Sequence, residues 1–119
     1  MLWKFCALLA VAALAVAGSA LAAPERTTST TVTVTAGKPS ELKFTLSKKS
    51  VAKGAVTFKV TNRGALAHDF RIAGKKTKLL RKGQSATLRV ALGRAGMVPY
   101  LCTVPGHAAG GMKGVLTVK

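Results

Sequence analysis

Cysteine is nearly absent from this sequence, and its scarcity excludes a disulfide framework. The 119 residues contain two cysteines, Cys6 and Cys102. Cys6 lies in an N-terminal apolar segment that we expect to be removed, so Cys102 would stay alone in the mature chain. A lone thiol in an oxidising compartment is a liability unless something occupies it. The two interpretations of Cys102 are therefore a metal ligand and a buried, inert thiol.

Acidic residues are scarce as well. The chain has three Asp and Glu against nineteen Lys and Arg, of which only Lys4 lies in the apolar N-terminal segment. This excess favours acidic partners or surfaces and electrostatically steered association. Nucleic acid is excluded because the aromatic residues do not interleave with the basic ones as a stacking platform requires. The aromatic residues of the mature chain fall instead at strand-core positions, namely Phe44, Phe58, Phe70 and Tyr100.

The sequence also lacks internal repeats, phosphate-cradling glycine motifs and helical periodicity of useful length. Strand signals take their place, because apolar and polar residues alternate with a period of two in several short segments. Seven or eight such strands, with turn residues between them, predict an all-β fold, a Greek-key β-sandwich. The predicted strands are Thr31–Thr35, Glu41–Leu46, Gly54–Thr61, Ala67–Ile72, Gln84–Leu92, Met97–Cys102 and Lys113–Lys119.

The N-terminal segment has the features of a secretory signal peptide. Lys4 precedes a short apolar stretch, and Ala20-Leu-Ala22 matches an A-x-A cleavage site. We therefore expect a signal peptide over residues 1–22, a flexible leader over 23–30 and one folded domain over 31–119. This organisation predicts a periplasmic or otherwise exported protein. The alternative is an uncleaved membrane anchor, for which the apolar stretch is short.

Near the C-terminus, a thiolate, an imidazole and a thioether follow one another at intervals of five residues: Cys102, His107 and Met112. These soft or borderline ligands suit copper, and a blue-copper site needs two imidazoles, one thiolate and a weak axial Met. A Pro-Gly turn before His107 and a Gly-Gly pair before Met112 let the loop fold back on itself. His68, the other histidine of the chain, supplies the missing imidazole.

The loop pattern C-x4-H-x4-M, with Pro-Gly before the histidine and Met112-Lys-Gly-Val-Leu-Thr-Val118 after it, resembles the cupredoxins, which are plastocyanin- and azurin-like blue copper proteins. The segment Asn62-Arg-Gly-Ala-Leu-Ala-His68-Asp-Phe70 resembles the first-histidine segment of that family. The resemblance covers roughly residues 30 to 119. It implies the same sandwich fold, with one copper ion held by His68, Cys102 and His107 and weakly by Met112.

Some of these residues also have a purely structural interpretation. His68 would share a strand face with Phe70 and Ile72, and a histidine on an apolar face is often a satisfied core residue. Met97, the second methionine of the mature chain, is expected to pack in the core or at its rim.

Four protein ligands leave no open coordination position, unlike a catalytic metal site. With both histidines assigned to the metal, no nucleophile–base pair remains, so we expect no enzymatic activity. The chemistry that remains for such a site is reversible one-electron change between Cu(II) and Cu(I). We therefore predict an exported one-electron carrier. The alternatives are a periplasmic copper-handling protein for delivery or resistance, and a cupredoxin-like module of a larger oxidase complex.

Docking of a redox partner is expected around His107. The resemblance implies that electrons leave through the exposed edge of this imidazole, and Ala108 and Ala109 give it a small apolar surround. The basic run Lys75–Lys82 would steer an acidic redox protein, or would simply be a solvated loop. Leu79 and Leu80 within the run are expected to pack onto the domain. Contact with a membrane surface stays open, and a monomer is expected.

Asp69 departs from the family pattern, which often has Asn after the first histidine. The resemblance implies a hydrogen bond from this position to the residue after the cysteine, here Thr103. A negative charge so close to copper should favour Cu(II) and lower the reduction potential. The alternative is a solvated carboxylate paired with Arg63 or Arg71.

Overall fold

A computed structural model describes residues 29–119. The signal peptide predicted over residues 1–22 and nearly all of the leader lie outside this range. Within it, the chain forms strands joined by turns, and no helix is long and apolar enough to cross a membrane. The strands are β1 (Thr30–Ala36), β2 (Phe44–Leu46), β3 (Ser50–Val51), β4 (Gly54–Asn62), β5 (Arg71–Ile72), β6 (Lys75–Lys76), β7 (Ser85–Leu92), β8 (Gly96–Leu101) and β9 (Lys113–Val118).

The strands form two sheets that pack face to face as a Greek-key sandwich, as the alternation predicted. One sheet has the order β2-β1-β4-β7, and the other has the order β3-β9-β8-β5-β6. The long strand β4 is central in the first sheet, parallel to β1 and antiparallel to β7. In the second sheet, β8 pairs antiparallel with β9 along its whole length, from Gly96 opposite Val118 to Leu101 opposite Lys113.

The core between the sheets consists of the apolar residues that recur at every second position. Val56, Phe58 and Val60 of β4 are buried, while the residues between them are more exposed. Phe70 lies at the centre of the aromatic residues, with ring centroids 5.3 Å from Phe44, 5.3 Å from Phe58 and 5.4 Å from Tyr100. Edge-on and tilted pairs at these separations are favourable beyond their buried area.

Two predicted strands are much shorter than expected. Only Phe44–Leu46 of the segment Glu41–Leu46 forms a strand, and only Arg71 and Ile72 of the segment Ala67–Ile72 do. In both cases the missing part lies at the end of the sandwich where the ligand loop is found. There, side-chain hydrogen bonds and an isolated backbone pair between His68 and Leu80 take the place of a continuous sheet ladder. The two-residue strands β3 and β6 have no alternation that a sequence pattern could reveal.

Two predictions of packing were wrong in part. Leu80 is fully buried, as expected, but Leu79 is 55% exposed. Met97 does not pack in the core, because it is 73% exposed on the outer face of β8. Alternation along β8 explains the exposure of Met97, because Val98 and Tyr100 take the inward positions and contact the core.

Candidate metal centre

His68 is fully buried and is held by its backbone. Its N–H donates to the carbonyl of Leu80 at 3.0 Å, and its carbonyl accepts from the N–H of Leu80 at 2.8 Å. Asn62, also fully buried, donates from its amide nitrogen to the carbonyls of Leu66 and Leu80, each at 2.8 Å. The segment before His68 is therefore fixed to the end of β4 and to the Leu80 segment.

The loop between β8 and β9 carries the other predicted ligands. Its two ends are joined because the N–H of Cys102 donates to the carbonyl of Met112 at 3.1 Å. The N–H of Met112 in turn donates to the carbonyl of His107 at 3.0 Å. Gly111 has a φ of 109°, which L side chains rarely adopt, so glycine is required for the chain to turn back before Met112.

Three of the predicted ligands converge. The Nδ1 atoms of His68 and His107 lie 3.1 Å apart, and the Sγ atom of Cys102 lies 3.6 Å from Nδ1 of His107. The donor atoms of all three residues lie within 4.8 Å of one another. Metal–ligand bonds of about 2.0–2.3 Å place the ligands of one ion at comparable separations. Two imidazoles and a thiol in this arrangement fit a single type 1 copper site.

Met112 lies beside this group. It is fully buried and forms a small apolar cluster with Ala36 and Cys102, onto which Leu42, Phe44 and Val104 pack. This cluster is separate from the main core and lies at the end of the sandwich where His68 and His107 meet. Burial in the cluster raises the pKa of the Cys102 thiol, although hydrogen bonds from the backbone oppose the shift. A metal ion that binds the thiolate must therefore displace the proton of a thiol that resists ionisation.

Asp69 is buried and bonds across to the residue after Cys102, as the family resemblance implied. Its Oδ1 accepts from the N–H of Thr103 at 2.6 Å, and its Oδ2 accepts from the Thr103 hydroxyl. The alternative interpretation, a solvated carboxylate paired with Arg63 or Arg71, was wrong, because only 5% of Asp69 is exposed. Asp69 thus ties the His68 segment to the beginning of the ligand loop.

Glu41 is the residue at this site that the sequence did not reveal. Its carboxylate accepts from Nε2 of His68 at 2.8 Å, on the ring edge opposite to Nδ1. Alternation in the sequence placed Glu41 on the outer face of a strand, where a carboxylate needs no partner. The N–H groups of Ala65 and Leu66, which hold the carboxylate together with His68, are more than twenty residues away along the chain.

One comparison with known proteins identifies a copper-binding family. The sequence profile of copper-binding proteins of the plastocyanin/azurin family matches residues 28–119. A comparison with curated protein sequences finds none that matches significantly.

Solved structures of blue copper proteins share the fold. Auracyanin from the photosynthetic bacterium Roseiflexus castenholzii is 26% identical, with a TM-score of 0.55, over 77% of this chain and 97% of its own. Auracyanin A, a "blue" copper protein from Chloroflexus aurantiacus, is 20% identical, with a TM-score of 0.61, over 76% and 99%. Rusticyanin from Thiobacillus ferrooxidans is 22% identical, with a TM-score of 0.66, over 76% and 77%.

The family profile spans most of the chain and includes both histidine segments and the cysteine loop. The three residues whose donor atoms converge here, His68, Cys102 and His107, are among those that the family resemblance implied as copper ligands. The chain therefore belongs to the copper-binding proteins of the plastocyanin/azurin family.

Proposed function

We propose that this protein is an exported one-electron carrier with a type 1 copper site. The observation that carries the proposal is the convergence of His68, Cys102 and His107 at one end of a rigid sandwich, with Met112 buried beside them. In this assignment the two imidazoles bind through Nδ1, Cys102 binds as thiolate, and Met112 is the weak axial ligand. Copper bound there would supply the Cu(II)/Cu(I) couple.

Differences in exposure among the ligands support electron transfer rather than copper delivery. His68, Cys102 and Met112 are buried, whereas His107 is partly exposed and has Ala108 and Ala109 beside it. A buried, four-ligand site exchanges its ion slowly and leaves no position for a substrate, which supports a carrier without enzymatic activity. The partly exposed imidazole gives electrons a short route to the surface.

We further propose that an acidic redox protein docks at this end of the molecule. The basic run supports this partner, because Arg81 and Lys82 follow directly on Leu80, which bonds to the backbone of His68. Leu66 and Leu79, exposed to 51% and 55%, add apolar contact area there. A monomer docking transiently at this face fits the role, and the predicted signal peptide supports a periplasmic or other exported location.

The proposal is tested by visible absorption of the folded domain after Cu(II) is added. We expect an intense blue band that ascorbate bleaches and air restores, because thiolate bonding to Cu(II) gives the colour and the couple is reversible. A Cys102→Ser variant should bind copper weakly and stay colourless. A Thr103→Ser variant, altered at the next residue but with its hydroxyl kept, should remain blue.

A colourless protein that still binds Cu(I) tightly would contradict the electron-carrier assignment and favour copper handling. A blue protein that ascorbate cannot reduce would contradict it as well.

A further inference from the structure

Glu41 links the two sheets at the end of the sandwich that holds the metal centre. It lies in the connection between β1 and β2 of the first sheet, and its side chain is about one-third exposed (35%). Its partners lie in the connection from β4 to β5, which leads into the second sheet. Oε1 accepts from the N–H of Leu66 at 2.7 Å and from Nε2 of His68 at 2.8 Å, and Oε2 accepts from the N–H of Ala65 at 2.9 Å.

The space around this carboxylate is closely packed. A methyl group at Gly64 would come within 2.6 Å of Oε1 of Glu41 and 3.0 Å of Nε2 of His68. Only glycine therefore leaves room for the carboxylate and the imidazole to meet.

Both oxygens of the Glu41 carboxylate accept from backbone N–H groups, so the carboxylate is the acceptor in this contact as well and Nε2 of His68 carries the proton. A neutral imidazole has one protonated nitrogen, and the lone pair is then on Nδ1. Nδ1 is the atom that faces His107 and the thiol of Cys102. The Glu41 contact thus leaves the inward-facing nitrogen of His68 free to bind a metal ion.

We propose that Glu41 is a positioning residue for the copper site: it fixes His68 in the Nε2–H tautomer and holds the ring in its ligand orientation in the metal-free protein. The proposal rests on the assignment of His68 as a copper ligand. Glu41 acts through the imidazole and does not touch the metal. The negative charge of Glu41 also makes Nδ1 of His68 a more basic metal ligand, as carboxylate partners of metal-bound histidines do.

The first test uses the metal-free protein, so that it does not depend on electron transfer. ¹⁵N NMR of the imidazole nitrogens at mildly alkaline pH distinguishes the two neutral tautomers of His68. We expect the wild-type protein to show protonated Nε2 and unprotonated Nδ1. In a Glu41→Gln variant, whose amide nitrogen cannot accept, we expect a mixture of the two forms. A wild-type His68 protonated at Nδ1 would overturn the proposal whether or not the protein carries electrons.

The second test measures copper affinity by competition with a chelator. Loss of such a carboxylate partner costs about 10–100-fold in metal affinity, and we expect a loss of this size for Glu41→Gln. Glu41→Gln also raises the net charge by one, so an exposed Thr87→Lys variant on β7 is the matched control, expected to bind as the wild type does. Wild-type affinity and tautomer in Glu41→Gln would overturn the proposal, even if the protein is blue and redox-active.

Discussion

Asp69 and Glu41 are the two acidic residues within the described part of the chain, and both contact the metal centre. Asp69 bonds to Thr103, next to the cysteine ligand, and Glu41 bonds to His68. Together with a Cys102 thiolate, they would place negative charge around a bound ion, while the rest of the described surface is basic. Negative charge stabilises the more positive oxidation state, so we expect these two residues to favour Cu(II) over Cu(I).

An Asp69→Asn variant measures the contribution of one of these charges. The amide oxygen can still accept from the N–H of Thr103, so the segment should stay in place while the charge is lost. We expect the reduction potential to rise by roughly 60 mV, which corresponds to a tenfold change in the ratio of Cu(I) to Cu(II) affinity. Cyclic voltammetry checks this.

A Thr103→Val variant is the control for the second hydrogen bond, since it removes the hydroxyl that Asp69 accepts from and keeps the charge. If Asp69→Asn left the potential unchanged, the carboxylate would have no electrostatic role at the site.

At the residue level, the sequence predicted the convergence of His68, Cys102 and His107 because residues of these types are rare in it. With two histidines in the chain and one cysteine after residue 22, the prediction had few alternatives. The partner of His68 could not be predicted in the same way. Glu41 is 27 residues from His68 along the chain, and the alternating segment that contains it indicated an ordinary outward-facing strand position.

The segment from Gly74 to Gly83 contributes one residue to the core and several residues to the exposed surface. Lys75 and Lys76 pair with β5 at the sheet edge, while Leu80 bonds to the His68 backbone and enters the core. Leu79, its neighbour, is turned towards solvent. Alternation predicts opposite directions for adjacent residues of an extended chain, so the expectation that both leucines pack inward was wrong for Leu79.

Leu79 and Leu80 form a matched pair for mutation. Truncation of a fully buried leucine leaves a cavity, so Leu80→Ala should lower the free energy of unfolding by about 2–5 kcal/mol. Leu79→Ala should change it by less than about 0.5 kcal/mol, because surface substitutions rarely do more. Urea denaturation of the metal-free variants checks both values. Equal losses for the two variants would contradict the assigned burial.

At the level of strands, the long alternating segments were predicted almost to the residue. In β4 every second residue from Val56 to Asn62 is buried, and in β7 every second residue from Ala86 to Leu92 is less exposed than its neighbours, which gives a strong periodic signal. The strands next to the metal centre were predicted too long, because polar side chains there bond to the backbone in place of a neighbouring strand. Asn62, Glu41 and Asp69 all do so, and period-two alternation carries no information about such bonds.

Over the whole molecule, positive charge dominates the surface. Of the nineteen Lys and Arg residues, only Lys4 and Arg26 lie outside the described part, and the two described carboxylates are both engaged at the metal centre. Such a field attracts anionic partners over distances beyond contact and weakens as salt shortens the Debye length to about 8 Å at physiological ionic strength.

Electron exchange with small reagents tests this field without a known partner. Oxidation of the reduced protein by the anion hexacyanoferrate(III) should slow several-fold as salt is raised, because salt screens the attraction. A cationic cobalt(III) complex should show the opposite trend. Stopped-flow absorbance of the blue band measures both rates.

Location of the charge is tested by two double variants of equal net charge. Arg81→Gln with Lys82→Gln removes charge beside the His68 segment, and Lys53→Gln with Arg94→Gln removes it at the far end of β4 and β7. We expect the first pair to slow the hexacyanoferrate reaction more. Equal effects would show that net charge, and not the basic run, steers the reagent.

The predicted ligands come from a loop and from a segment far away in the sequence, so a bound ion would also restrict the unfolded chain. An ion held by His68 and His107 joins residues 39 apart in sequence, much as a disulfide would. A cross-link of this kind removes extended conformations from the unfolded ensemble, and bound ligand stabilises the folded state in proportion to the logarithm of its free concentration. The free energy of unfolding would therefore increase with the supply of copper in the surroundings, and the metal would be a structural element as well as a redox centre.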